Sequence, residues 1–280
     1  MSTADGKRHG LELKEILLRL SKIESERKIK ILYVCEGGSR AMGLDTPYSD
    51  YDIYFLYAHY PEWYLSIEQH AKDAISVQDK NIGLDIAGWE LRKALNLLRK
   101  SNFNLIQLIN SPIKYTVRGE THSKMKNVLN EFISPKAMAY HCRSVAMEYY
   151  DKAIELKTKT GVTNNKEIMK NYTHALFYIL ATKWIVANHS VPPLLFTNLL
   201  ASTVADDNTR QIIENLILQI RNDQIKDVSQ VQTIDNLISG FITHYNNGNL
   251  LRSLPIGEPS DIGVLNEIFR TEVLGDTSIS

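Results

Sequence analysis

The sequence predicts an α+β fold in which a mixed sheet with flanking helices is followed by an all-helical C-terminal half. Three observations carry this prediction. Up to about residue 118, short runs rich in β-branched and aromatic residues, bounded by turn residues, alternate with helical periodicity. From about Lys124 onward the apolar spacing is helical almost throughout. The chain has 280 residues, 44% hydrophobic and 23% charged, which is globular composition and length enough for two units, placed at 1–130 and 131–280.

The elements follow in order. Residues 11–26 set Leu11, Leu13, Ile16, Leu17, Leu20 and Ile23 at helical spacing with charges between them, an amphipathic helix. Lys28 to Cys35 reads as a strand, Glu36 to Ser49 as loop and turn, and Tyr51 to Ala58 as a largely apolar, central strand. A loop packed with Tyr60, Trp63 and Tyr64 around Pro61 comes next. Ala74 to Asp79 and Asn81 to Gly88 read as strands joined by a polar turn. Helices are expected at Trp89 to Lys100 and Phe103 to Ile109, and a short strand at Ile113 to Val117. The helical half holds candidates at 136–160, 166–189, 194–202, 209–219, 228–245 and 261–271, separated by Gly, Asn and Pro clusters, which suits a bundle.

Composition excludes several classes. Lys plus Arg and Asp plus Glu are both 32, so the chain lacks the basic excess of a protein that coats nucleic acid through bulk charge. The two cysteines, Cys35 and Cys142, form no CxxC pair, so neither a disulfide framework nor a cysteine zinc site is indicated. His141, His174 and His189 lack metal-binding spacing and read as structural or surface residues. Met1 to Gly10 is polar, unlike a signal peptide, and no apolar run reaches the ~20 residues of a membrane span, so a soluble cytoplasmic protein with no membrane partner is expected.

One stretch carries chemistry. Cys35-Glu36-Gly37-Gly38-Ser39-Arg40 joins a strand to a glycine turn, and with ten residues intervening after Ser39 the next strand opens with Asp50-Tyr51-Asp52. Gly37-Gly38 would let backbone approach phosphate oxygens, Ser39 adds a hydroxyl and Arg40 a charge; a helical turn over Ser39 to Met42 would point its N-terminus the same way. Asp50 and Asp52, two residues apart on a strand, share a face, and carboxylate-only ligation selects Mg²⁺ or Mn²⁺. Asp85 is the acid inside a later strand that would complete a two-ion site. A lone DxD is usually a solvated turn and a lone GGS a loop; the strand context and the later acid set this pair apart.

At these residues the chain resembles the DNA polymerase β-like nucleotidyltransferases. Gly38-Ser39-Arg40-Ala41-Met42-Gly43 with Ser49-Asp50-Tyr51-Asp52 is similar to a narrower branch, the RlaP-type enzymes associated with RNA repair. Asp85-Ile86-Ala87-Gly88-Trp89-Glu90, Lys100-Ser101-Asn102 and Asn110-Ser111-Pro112 extend the resemblance over most of residues 30–118, with a looser likeness at Lys170 to Trp184. The resemblance implies a palm-like catalytic domain at 1–130 beside the helical domain at 131–280. It also implies Asp50, Asp52 and Asp85 as catalytic metal ligands for two ions, and Gly38-Ser39 on the nucleoside triphosphate; the residues themselves add Arg40, Ser49, and Arg92 and Lys93 close to Asp85 in sequence, as further candidates for binding it. The implied reaction moves a nucleoside monophosphate to a hydroxyl with loss of pyrophosphate, the acceptor being an RNA end. Alternatives are adenylylation of a protein or small molecule, including an antitoxin role with a protein partner, and non-catalytic nucleotide binding. The chain departs from the branch at Asn102-Phe103, where Asn-Pro is favoured, and at Phe177-Tyr178, where Arg-Pro follows Ala-Leu.

Other residues have two readings. The basic stretch from Arg92 through Lys93, Arg99, Lys100, Lys114, Arg118 and Lys124 to Lys126 guides phosphates, or else lines solvated helix faces. Lys183 contacts phosphate or snorkels at the surface. Tyr54, Phe55 and Tyr57 read as core rather than stacking platforms, and Trp63 fits either role.

Overall fold

The structure, a computed structural model, describes residues 13–67, 74–158, 165–222, 224, 229–247, 249–257 and 261–275. Leu11, the polar Met1 to Gly10 and the expected break at 161–164 lie outside the described residues. Helix α1 (Leu13–Arg27) leads into strand β1 (Ile29–Glu36), helix α2 (Gly38–Met42), strand β2 (Tyr51–His59) and helix α3 (Pro61–Tyr64). Strands β3 (Ala74–Asp79) and β4 (Leu84–Glu90) follow, then helices α4 (Leu91–Arg99) and α5 (Phe103–Ile109) and strand β5 (Lys114–Val117). Helix α6 (Thr121–Val128) and a 3₁₀ turn (Leu129–Phe132) lead to α7 (Pro135–Thr158), α8 (Asn165–Asn188), α9 (Phe196–Thr203), α10 (Asp207–Arg221), α11 (Ser229–Asn247) and α12 (Ile262–Leu274).

The five strands form one mixed sheet in the order β3-β4-β2-β1-β5. β2 pairs antiparallel with β1 and parallel with β4, so its backbone is held on both sides. Alternation sorts its residues between two faces. Ile53, Phe55 and Tyr57 pack with Val34 and Ile86 under Ile16, Leu20 and Ile23 of α1. Leu56 and Ala58 turn the other way, into a core with α4, α5, α7 and α8. The aspartates at 50 and 52 share the parity of Leu56 and so belong to the face that the helical half covers.

Two boundaries differ from the periodicity. Trp89, expected to begin a helix, is still in β4, because Glu90 caps α4: its carboxylate accepts from the Lys93 N–H at 3.1 Å. The loop expected around Pro61 contains the short helix α3, with proline in its first turn. Helix α8 is buried at every residue from Asn171 to Thr182. It is the central helix of the C-terminal half, with α7 along its length and α9, α10 and α11 around it. The apolar core runs without interruption from the sheet into these helices. The last helix, α12, returns to pack on α4 and α6, where Lys30 meets Glu272 at 2.6 Å. Among the described residues no helix is long and apolar enough to cross a membrane.

Candidate active site

β1 ends at Glu36, and the chain turns over β2 through two glycines that nothing larger would replace. The Gly37 N–H donates to the Asp52 carbonyl at 2.7 Å, and a Cβ on Gly37 would lie 2.6 Å from the Tyr54 ring. Gly38 has φ +53°, and its Cβ would lie 1.8 Å from Asp52 Oδ2. The turn is therefore packed directly on the Asp52 carboxylate. α2 starts at Gly38, with Ser39 buried in its first turn, and Gly43 ends it in the left-handed region at φ +70°.

The carboxylates meet through strand register. Asp52 and Asp85 are directly opposed across the parallel β2–β4 pair, and Asp50 immediately precedes β2 on the same face. Asp85 accepts from Gln78 Nε2 of β3 at 3.0 Å. The Asp52 carboxyl is held above the usual carboxylate range, first by burial and then by the charges of Asp85 and Asp50, while Lys170 and Arg40 pull it back. Burial, Asp52 and Asp85 together push the Tyr54 hydroxyl up to about 12. Among the described residues no three His, Cys, Asp or Glu side chains are already drawn together as a metal centre. The donor set nevertheless fits a hard divalent cation: two opposed carboxylates with a third beside them repel one another until a positive charge sits between them.

Beneath the aspartates lies a group that the sequence reading missed. Glu36 is completely buried, and its carboxylate accepts from the Asp52 N–H at 2.9 Å and from the Tyr115 hydroxyl. Burial, the dominant cause, raises its carboxyl to about 7, against the lowering effect of these two hydrogen bonds. Its signal in the sequence was an acid closing an apolar strand just before the glycines.

Arg40 and Ser49 act on the backbone. The Arg40 guanidinium donates to the Ser49 carbonyl at 3.1 Å and the Asp50 carbonyl at 3.3 Å, and lies 3.9 Å from the Tyr51 ring centre. It fixes the segment that carries Asp50. The Ser49 hydroxyl accepts from the Thr46 N–H at 2.8 Å inside a turn.

Arg92 and Lys93 are not brought to the aspartates. They open α4, beyond the end of β4 opposite to Asp85, and Arg92 lies over the rings of Tyr64 and Phe269, each 5.1 Å away. A strand carries the chain ~3.3 Å per residue, so nearness in sequence becomes distance in space. Of the other basic residues, Arg118 pairs with Glu24 at 2.6 Å, and Lys183 lies 5.6 Å from the Phe241 ring of α11. Trp63 stacks on His59 at 3.9 Å, also at the far end of β2.

The lysine that acts on Asp52 is instead Lys170, from α8. One and two helical steps of four further on, His174 and Tyr178 line a cavity of about 340 Å³ between the glycine turn and helices α5, α7 and α8. Tyr54 and Trp89 form its sheet side, and Gln107 of α5 and Tyr149 of α7 its helical side. The Tyr149 ring stacks with His174 at 4.9 Å and with Tyr178 at 6.0 Å. Burial, helped by Lys170, lowers His174 to about 4, so its imidazole is neutral near pH 7. Of the two departures at the motif positions, Phe103 and Phe177 are buried in the core and Tyr178 faces this cavity.

Comparison with known proteins identifies the family of the chain. The family model described as "RlaP: RNA repair pathway DNA polymerase beta family" matches residues 13–270. A protein of Bacillus subtilis (strain 168), "Uncharacterized protein YcgL", is 34% identical over 213 residues, 76% of this chain and 78% of the relative. Among solved structures, a nucleotidyltransferase-like protein from Exiguobacterium sibiricum 255-15 is matched over 95% of this chain and 80% of that one, at 12% identity and a TM-score of 0.34.

Proposed function

Because the chain belongs to the RNA repair pathway DNA polymerase beta (RlaP) family, we propose that it transfers a nucleoside monophosphate from a triphosphate to a hydroxyl, with an RNA end as acceptor. The observation that carries this reading is the in-register opposition of Asp52 and Asp85, with Asp50 beside them and Gly38 packed on the Asp52 carboxylate. Asp50, Asp52 and Asp85 would hold Mg²⁺ or Mn²⁺, which when bound offsets phosphate charge and lowers the barrier to attack.

The chain's own residues supply the rest. The Gly37–Gly38–Ser39 turn offers backbone N–H groups and a hydroxyl to the triphosphate. The acceptor oxygen forms a bond to the α-phosphorus, the bond from that phosphorus to the bridging oxygen breaks, and pyrophosphate leaves. Asp85, across from Asp52, takes the proton from the acceptor hydroxyl. Arg40 keeps Asp50 in place through two backbone carbonyls, and Glu36 does the same for Asp52 through its N–H. Lys170 brings a positive charge from the helical half to Asp52.

The test is incubation with each labelled nucleoside triphosphate, Mg²⁺ or Mn²⁺ and a pool of tRNA. Label should appear on RNA and vanish in Asp50→Ala and Asp52→Ala. Transfer that survives both substitutions removes these aspartates from the mechanism. Label on protein or a small molecule from lysate, with RNA unlabelled, moves the acceptor to adenylylation-type chemistry.

A further inference from the structure

The cavity beside the glycine turn has polar groups that the transfer chemistry leaves unused. His174 is 7% exposed, and its Nδ1 finds no hydrogen-bond partner among the described residues. The Gln107 amide meets the Tyr178 hydroxyl at 3.5 Å through Oε1, while Nε2 is buried and unpartnered among the described residues. Whichever way that amide is turned, one of its ends lacks a partner. A buried polar atom left unpaired costs free energy, and both of these atoms belong to side chains that line the cavity, where a turn of the side chain would bring them to a ligand that completes the bonding.

We infer that this cavity reads the base of the incoming nucleoside triphosphate, with Gln107 and His174 as specificity-determining residues that hydrogen-bond the base edge. The inference rests on the nucleotidyltransferase reading above. The shape favours a base over other ligands. At about 340 Å³ the space is in the range of small-molecule sites, and it starts at Gly37 and Gly38, where the phosphates belong. From there it runs between the aromatic side chains of Tyr54, Trp89, Tyr149 and Tyr178, which suit a flat heterocycle. A heterocycle edge carries the mixture of acceptors and donors that an amide and a neutral imidazole require. A site built on buried hydrogen bonds rejects an analogue that cannot make them far more strongly than an apolar pocket does.

Equilibrium binding of the four nucleoside triphosphates and of inorganic tripolyphosphate to the full chain, with Mg²⁺ present, tests this. The wild-type protein should prefer one base, or one class of base, by about tenfold or more. Gln107→Leu and His174→Phe should bring the four within about threefold of one another and leave tripolyphosphate affinity unchanged. If either melts early, Gln107→Asn and His174→Gln shift the polar atoms without adding apolar bulk, and should weaken the preference in the same direction. Equal wild-type affinity for all four, or equal losses of nucleotide and tripolyphosphate in the variants, overturns the inference. So does a change in acceptor choice with base preference intact. Base-selective binding without any transfer would count against the catalytic reading alone, and transfer with no base preference against the pocket alone.

Discussion

Gly38→Ala separates the two demands that the site makes on its glycine turn. The backbone demand is φ +53°, and an L-residue with a Cβ pays ~1–2 kcal/mol to remain there. The steric demand is larger. The added Cβ would lie 1.8 Å from Asp52 Oδ2, whereas ordinary contact begins near 3.4 Å, so one of the two must recede by about 1.6 Å. Asp52 has little room to give, because β2 is bonded to β1 on one side and β4 on the other, and Glu36 holds its N–H. A displacement of ~1 Å at a reacting group costs on the order of 100-fold in rate. Gly38→Ala should therefore lose about 2–5 kcal/mol of stability, backbone and collision together, a fall of roughly 4–20 °C in Tm, and at least about 100-fold in nucleotidyl transfer per folded molecule. Gly43→Ala is the matched control. It has φ +70°, yet among the described residues its Cβ would meet only the Leu195 Cδ2, at 3.6 Å, so it carries the backbone cost without the collision. Differential scanning calorimetry and single-turnover transfer on both variants check this. Equal transfer by Gly38→Ala and Gly43→Ala would refute the argument that the turn is shaped around the Asp52 carboxylate.

Three further outcomes follow from neighbouring groups. Glu36 has its carboxyl raised from 4.5 to about 7 in the fold, so burial favours its protonated form. Its contribution to stability is full below pH 4.5 and is lost as pH rises through 7, by at most about 3 kcal/mol. Urea midpoints across that window should fall with pH in the wild type and be flatter in Glu36→Gln. Lys170→Ala removes the positive charge that lowers the Asp52 carboxyl, so the acid limb of the transfer profile should move to higher pH, as a rate series from pH 5 to 9 would record. Gly88→Ala would place a Cβ 2.2 Å from the fully buried Phe55 ring on the α1 face, away from the aspartates. It should cost ~1–3 kcal/mol in chemical denaturation and leave transfer per folded molecule near wild type.

The site was legible where chemistry and local geometry coincide, and hidden where they are joined only by packing. Gly38-Ser39 with Asp50 and Asp52 declares itself because a tight turn needs glycine and because alternation on a strand puts carboxylates two apart on one side. The directly opposed register of Asp52 and Asp85 belongs to strand pairing, which spacing in a sequence does not specify. Arg92 and Lys93 show the converse error: seven or eight residues from Asp85, they are carried away by the strand itself. The polar groups of the cavity come from three helices, at Gln107, Tyr149 and His174, and no local pattern ties these positions together. Even so, Lys170, His174 and Tyr178 recur every four residues, and that stripe is a readable signal. It was obscured because α8 is apolar on nearly every side, so a histidine within it reads as a core residue. That placement also assigns the helical half its part. A buried central helix cannot shift without disturbing the helices around it, so whatever it presents to the sheet is held rigidly. α8 presents Lys170 toward Asp52 and His174 to the cavity, and burial keeps the His174 imidazole neutral. The aspartates and the glycine turn come from the sheet, but Lys170, which acts on Asp52, and the unpaired polar atoms of Gln107 and His174 come from helices later in the chain. Sheet and helices therefore meet at one candidate site across a continuous core.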